Sequence, residues 1–506
     1  MGGRRVAALV SIALAVTLIV MDGSIVNVAL PSLVRAFGGA SNSQMQWIVD
    51  AYILVFATLL LSMGNASDRF GRRRMLVLGA VVFGATSVGA AYSGSAEALV
   101  VWRAAMGVGA AMIFPATLAI LTHLFPEPRL RQLAIGIWAA CSGFGVALGP
   151  VVGGWMLRHF EWGSIFLINV PIVAVIIAGV MTSVRESRES DRGPLDAIGN
   201  LLAIGWLFAL VWALIEAPVR GWSSPVLLGA LAGAAVLLGI FVRHESRVAQ
   251  AREPTSRRSS TGCATACLAI GVAFFGLFGF VFMVTQYFQF VLGHDALEAG
   301  LRTLPFAGAI VVGAALAARL GRSVAPRFVC ATGLFLMSAG FAWVIVDRPD
   351  TPYLVLVGQM VALGVGLGLV SATATEQIMA SLESDRLGLA SSLNDTAREL
   401  GGTLGVAAMG SVFNAVYRTD VTTAFADAPL PAEAKDALSQ SLGAAMAVVE
   451  RVGEVAGPSA AARVRDPAFD AFIGGFHASS LVAAGLAAIG ALAMLCVMRP
   501  AEGGRG

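Results

Sequence analysis

Fourteen apolar stretches, each about 20 residues or more, run almost end to end, at roughly 6–30, 44–64, 73–94, 98–122, 132–157, 164–184, 196–217, 225–243, 266–292, 303–320, 328–346, 353–380, 388–417 and 473–497. In hydrocarbon the backbone finds no water, so each run must pair its own N–H and C=O groups, and a helix does this within one segment. The expected fold class is therefore an all-α membrane protein with fourteen spans. Composition agrees: of 506 residues, 57% are hydrophobic and only 13% charged, against about a quarter charged in soluble domains. The first run follows Arg4 and Arg5 as a signal peptide would, but it is too long and carries Asp22, so it reads as retained.

Arginines mark alternate loops. Arg4 and Arg5, then Arg69, Arg72, Arg73 and Arg74, then Arg129 and Arg131 fall on one side. Arg185, Arg188 and Arg192, the run from Arg243 to Arg258, and Arg319, Arg322 and Arg327 fall there too. The intervening short loops carry single arginines: Arg35, Arg158, Arg220, Arg302 and Arg348. Basic loops favour the cytoplasm, so both termini are expected there. The net charge of +3 follows from this topology and implies no nucleic acid. Cys263 and Cys267 are one helical turn apart, yet no histidine or further thiol joins them, so no metal site or disulfide is expected. Lys435 follows Ala434, not the glycine of a phosphate-cradling loop, which excludes ATP-driven transport by this chain alone. The arginine and alanine bias suggests a GC-rich bacterial genome.

The runs divide into a first bundle over 1–192, two linking spans and a cytoplasmic linker over 193–260, and a second bundle over 261–506. Such a tandem places a substrate cavity between its halves near the bilayer midplane. Residues 418–472 form one long outer loop. There Pro431 can begin a helix, and Leu438, Leu442, Met446 and Val449 recur at helical spacing. Either an amphipathic helix or hairpin covers the outer mouth, or the loop is disordered.

Gly145 to Gly154 reads G-x-x-x-G-P-x-x-G-G. On a helix Gly145, Gly149 and Gly153 form a stripe without side chains, which admits a neighbour at backbone distance. Pro150 removes one backbone hydrogen bond and bends the helix. This is either an ordinary packing seam or something more specific, because the decapeptide, with Gly154, resembles the antiporter signature in the fifth helix of proton-coupled exporters of the major facilitator superfamily. Gly64 to Arg74 resembles the superfamily's loop motif G-x-L-x-D-R-x-G-R-R, with Ala66 at the leucine position. The motif implies a latch between moving halves, built from Gly64, Asp68, Arg69, Gly71, Arg72 and Arg73.

Further stretches resemble the fourteen-span drug/proton antiporter branch: Asp22 to Pro31, Trp47 to Tyr52, Phe166 to Pro171, Tyr287 to Gln289 and Asn394 to Val406. The resemblance implies the major facilitator fold, two six-helix bundles plus two linking spans. Arg103, followed by Met106 where the fourth-span motif has glutamine, is implied to assist proton transfer with Asp22. Acids at Asp50, Asp395 and Glu399 look closest to exporters of quaternary-ammonium antiseptics and cationic dyes.

Charges at bilayer depth cost about 2.5–3.5 kcal/mol on insertion scales and so usually have a function. Asp22, Asp50 and Arg103 are expected at similar depth in the outer half, either as a proton site or as a structural ion pair. Asp395 and Glu399 lie one turn apart with Arg398 beside them, either binding a cation or steadying the helix through an Asp395–Arg398 pair. A carboxylate shielded from water exchanges its proton against a bound cation, which is antiport chemistry without an enzyme reaction. Trp138, Phe144, Tyr52 and Tyr287, with Trp47 and Phe166, are candidate ring faces for flat cations.

The implied function is a proton-coupled antiporter exporting lipophilic, often cationic drugs or antiseptics. It would need no cofactor beyond the proton gradient, act as a monomer and lie in the bacterial inner membrane. The alternative is a dedicated exporter of one endogenous product, an antibiotic, lipid or polyamine.

Overall fold

The computed structural model describes residues 3–37, 42–188, 197–250, 257–321, 323–381 and 387–497. The expected boundary at residue 192 and the arginines Arg192, Arg252 and Arg322 lie outside them. Among the described residues, fourteen helices are long and apolar enough to cross a membrane. Spans 1 to 6 are Gly3–Val26, Trp47–Phe70, Arg72–Ala91, Ala96–Leu124, Arg129–His159 and Ser164–Ser183. Spans 7 and 8 are Ala197–Ala217 and Pro225–His244. Spans 9 to 14 are Gly262–Val291, Leu297–Leu320, Pro326–Val346, Tyr353–Ser381, Leu389–Ala424 and Pro458–Cys496. With an even number of crossings, the first and last spans place their outer ends on the same side, called here the terminal end; the other is the far end.

Local chemistry sets where the spans stop. Gly71, at φ 109°, makes the sharp turn between spans 2 and 3, a conformation that costs glycine nothing. The Ser95 hydroxyl accepts from the Ala98 N–H and opens span 4.

The two halves repeat one packing scheme. Span 1 packs on 5 and 6, span 4 on 2 and 3, and span 3 on 6. Spans 9 to 14 repeat these pairings in the same order: 9 on 13 and 14, 12 on 10 and 11, 11 on 14. Between the halves, span 2 meets 13, span 5 meets 10 and 12, and span 4 meets 13. These are the contacts that a twofold relation between two six-helix repeats requires.

Span 7 is not a loose tether. It packs on span 2 of the first half and span 13 of the second, with Leu207, Val211 and Ile215 seated against Leu54, Leu61 and Leu400. Span 8 packs on span 7 and is otherwise mostly uncovered.

The long loop is shorter than its sequence suggests, because span 13 continues to Ala424 and span 14 starts at Pro458. The residues between form two short helices, Ala432–Gln440 and Leu442–Ala456. The apolar series Leu438, Leu442, Met446 and Val449 is broken by Ser441, whose hydroxyl caps the second helix by accepting from Ala444 N–H. Leu438, Leu442 and Ala445 are buried, and Tyr417 Oη donates to Leu438 O at 3.1 Å. The hairpin sits on the far end of the second half.

Candidate transport site between the two halves

The halves are fastened at both ends. At the terminal end, Asp68 Oδ1 accepts from Arg72 Nε and Nη2 at 2.9 and 2.8 Å. Its other oxygen accepts the Leu389 N–H at 3.1 Å, so the loop after span 2 holds the start of span 13. The Glu186 carboxylate accepts from the Arg73 and Arg74 N–H groups, capping span 3, where a helix dipole favours an anion. A Cβ on Gly71 would strike that same carboxylate. Arg131 pairs with Glu376 at 2.5 Å between spans 5 and 12, and Gln132 Nε2 donates to Ala317 O on span 10. At the far end, Arg158 pairs with Asp295 at 2.5 Å. Gly64 is a buried residue of span 2, and Arg69 is half-buried at its end.

The glycine stripe of span 5 faces span 1, inside the first half. A Cβ on Gly145 would come within 3.0 Å of Thr17 O, one on Gly149 within 2.9 Å of Met21 O, and one on Gly153 within 2.7 Å of Ile25 Cγ1. Pro150 and Gly154 look the other way: Pro150 lies beside Gly300, and Gly154 beside Leu297 at the start of span 10. One helix thus serves both the core of its own half and the seam. A cavity of ≈ 30 Å³ lies in that seam, lined by Gly143, Val146 and Pro150 with Phe280, Thr285 and Gly300.

Asp22 and Arg103 meet inside the first half. Arg103 Nη1 donates to Asp22 Oδ2 at 2.5 Å, with neither side chain exposed. Asn169 Nδ2 donates to Asp22 Oδ1 at 2.8 Å and lies 3.2 Å from Ser87 Oγ. Arg103 Nε donates to Ile48 O at 3.0 Å, and its guanidinium carbon stands 4.3 Å from the Tyr52 ring centroid. Tyr52 Oη donates to Ile19 O. Charge, hydrogen bonds and ring face converge on this buried ion and offset its desolvation, although Arg103 Nη2 and Asn169 Oδ1 are buried with no hydrogen-bond partner among the described residues. Asp50 is two residues past the carbonyl that Arg103 holds and is half-buried.

The second half carries a different arrangement. Asp395 is fully buried, accepting from Asn394 Nδ2 at 3.0 Å and Ser391 Oγ at 3.4 Å. Arg398, three residues on, does not pair with it. Its Nη2 donates to Ser142 Oγ of span 5 at 2.6 Å. Its guanidinium stands 4.2 Å from the Phe274 ring, 4.6 Å from Trp138 and 5.7 Å from Phe114. A side chain of the second half is thereby inserted between spans 4 and 5 of the first. Trp138 Nε1 donates to Thr117 Oγ1 at 3.0 Å, which fixes that ring. Glu399 is half-buried, and no described residue donates to its carboxylate. It lies close enough to Tyr52 to act on it electrostatically.

A ladder of rings joins the two charged centres. Tyr52 stacks on Phe56 at 5.9 Å, Phe56 meets Phe114 edge-on at 5.5 Å, and Phe114 meets Trp138 at 5.4 Å. Arg103 lies over its first ring and Arg398 over its last.

Four candidate rings lie elsewhere. Tyr287 is in a π-helical turn at the end of span 9, stacked with Phe472 and Phe476 of span 14, and donates to Arg348 O at 2.8 Å. Phe144 is 41% exposed on span 5, outside the ring cage. Trp47 packs toward span 7, and Phe166 toward Trp162. Phe56, Phe114, Phe274 and Ser142 had no sequence signal, since apolar rings and serines are ordinary in spans. Asn169 stood in a quoted stretch without a role.

The sequence matches the Major Facilitator Superfamily over residues 12–406. A multidrug efflux pump of Mycolicibacterium smegmatis, LfrA, is 36% identical over 94% of this chain and 93% of its own length. The tetracenomycin C resistance and export protein of Streptomyces glaucescens is 30% identical over 99% and 93%. The methyl viologen resistance protein SmvA of Salmonella typhimurium is 32% identical over 94% of each chain. Among solved structures, the proton:xylose symporter XylE overlays with a TM-score of 0.60 at 15% identity, covering 97% of this chain and 95% of that one.

Proposed function

Since the chain belongs to the major facilitator superfamily, a family of transporters and not of enzymes, and its fourteen spans fit the fourteen-span branch, we propose that it exports lipophilic, often cationic drugs in exchange for protons. The observation that carries this reading is the ring ladder between the buried Asp22–Arg103 pair of the first half and Arg398 of the second, beside the buried acid Asp395. Rings and acids together suit a bulky cation, while buried carboxylates suit a proton. The names of the relatives support drug export.

On this reading the terminal end faces the cytoplasm of a bacterial inner membrane, following the arginine-rich loops. No cofactor is needed, and a monomer suffices. A proton reaching Asp22 removes the charge that holds Arg103, loosening the network that ties span 1 to spans 4 and 6. A cation arriving from the terminal side is met by Asp395 and Glu399. Release of the Asp68–Leu389 and Arg131–Glu376 fastenings then lets the halves rock.

The test is efflux of a panel of dyes and antibiotics from cells carrying this chain, with and without an imposed pH gradient. Gradient-dependent efflux of several cations supports the reading; efflux unaffected by collapsing the gradient overturns proton coupling. The second reading, a dedicated exporter of one product, draws on the tetracenomycin C relative. It predicts that one compound alone is moved.

A further inference from the structure

Arg398 is a buried cation held in an unusual way. It is 3% exposed, yet it makes no ion pair with Asp395 or Glu399, its neighbours on the same helix. Its Nη1 is buried and finds no partner among the described residues. Among the described residues its one side-chain hydrogen bond goes to Ser142, and three ring faces do the rest. A guanidinium is planar and weakly hydrated, which is why it sits on aromatic faces more readily than an ammonium. The same properties describe a delocalised organic cation.

We propose that Phe114, Trp138 and Phe274 form a binding site for delocalised organic cations, which the chain's own Arg398 fills in this structure and vacates when such a cation arrives. The proposal rests on the export reading above and deepens it by giving one site and one ligand class. Two positions are open to Arg398: among the rings, or turned back to the acids beside it on span 13. A ligand that binds the cage competes with the first and favours the second, which shifts the population without any new contact elsewhere. The site spans both halves, since two rings belong to spans 4 and 5 and the third to span 9. Withdrawal of Arg398 from Ser142 therefore also removes a bond that crosses the seam. The internal guanidinium keeps the cage dry and closed when no substrate is present.

Equilibrium binding of ethidium and of tetraphenylphosphonium to the purified full chain in lipid nanodiscs tests this, with uncharged chloramphenicol as control. Arg398→Gln removes the internal competitor and should tighten ethidium binding about tenfold, or about 1.4 kcal/mol. Trp138→Leu and Phe274→Leu should each weaken it about fivefold. The gain from Arg398→Gln should vanish when both rings are replaced. A gain that persists without the rings assigns it to the unopposed acids and overturns the proposal, as does unchanged or weaker binding by Arg398→Gln. Should that variant fail to fold, Ser142→Ala frees the guanidinium while keeping its charge. It should tighten ethidium binding about threefold, and no gain there overturns the proposal. Ring-dependent binding without gradient-driven efflux would sink the export reading and leave the cage standing; efflux without ring-dependent binding would do the reverse.

Discussion

Arg103 Nη1 and Asp22 Oδ2 stand 2.5 Å apart across spans 4 and 1, with neither side chain exposed. Breaking a buried pair from one side strands a charge, at a cost of about 3–5 kcal/mol. Asp22→Asn should therefore both abolish uphill efflux and lower the melting temperature in detergent. Asp22→Asn combined with Arg103→Gln should regain much of the melting temperature but not the efflux. Uphill efflux retained by Asp22→Asn would make the pair structural only.

The terminal-end fastenings should govern rate more than affinity. Glu376→Gln leaves Arg131 without its carboxylate, and Asp68→Ala removes the acceptor that both the Arg72 side chain and the Leu389 N–H use. Each should slow turnover several-fold with substrate affinity little changed. The exchange Arg131→Glu with Glu376→Arg should restore part of the rate. Equal losses in affinity and turnover for the single variants would count against a latch.

The glycines of span 5 make a graded series. An added methyl at Gly149 has no room against span 1, whereas at Gly154 its nearest neighbour is 3.4 Å away, ordinary contact. Gly149→Ala should destabilise by about 1–3 kcal/mol, the range for overpacking, and reduce export. Gly154→Ala should leave melting temperature near that of the parent chain. Equal tolerance at the two positions would mean the stripe is not a tight seam.

Asp347 follows span 11 and is buried, its Oδ1 accepting from Gln359 Nε2 at 2.7 Å. Burial pushes its carboxyl up to about 6, and the Gln359 hydrogen bond opposes the shift. Arg348, Asp350, Asp470 and His477 line the same pocket. With a folded pKa above the unfolded value of about 3.9, the contribution is fully present below about pH 4 and lost as pH rises through about 6. Asp347→Asn should melt like the parent chain at pH 3.5 and above it at pH 8, by up to about 3 kcal/mol in stability. A difference independent of pH would assign the effect to packing.

The spans were legible because lipid imposes one solution on a long apolar run, and the boundaries of span 7 moved by only a residue. The far-end loop was not: the apolar runs end near 417 and begin again near 473, yet spans 13 and 14 extend to Ala424 and back to Pro458. Asp22 and Arg103 could be placed at one depth by counting residues along their helices. Which acid Arg398 would join could not, because three residues of spacing fix the backbone and not the rotamer. Its side chain reaches Trp138 of the other half and Phe274 of its own, each more than a hundred residues away in sequence.

Span 7 lies along the seam between spans 2 and 13, gripping both with one face. The matching seam between spans 5 and 10 has no such helix among the described residues. The pseudo-twofold of the bundles is therefore mechanically lopsided: one lateral edge is clasped by a helix along its length, while the other is held by side-chain bonds near its two ends. In a tilt of the halves, the clasped edge would be the spine and the other edge would sweep the wider arc. Excising the two linking helices to make a twelve-helix chain would leave Leu54, Leu61 and Leu400 facing acyl chains. It would also remove that spine.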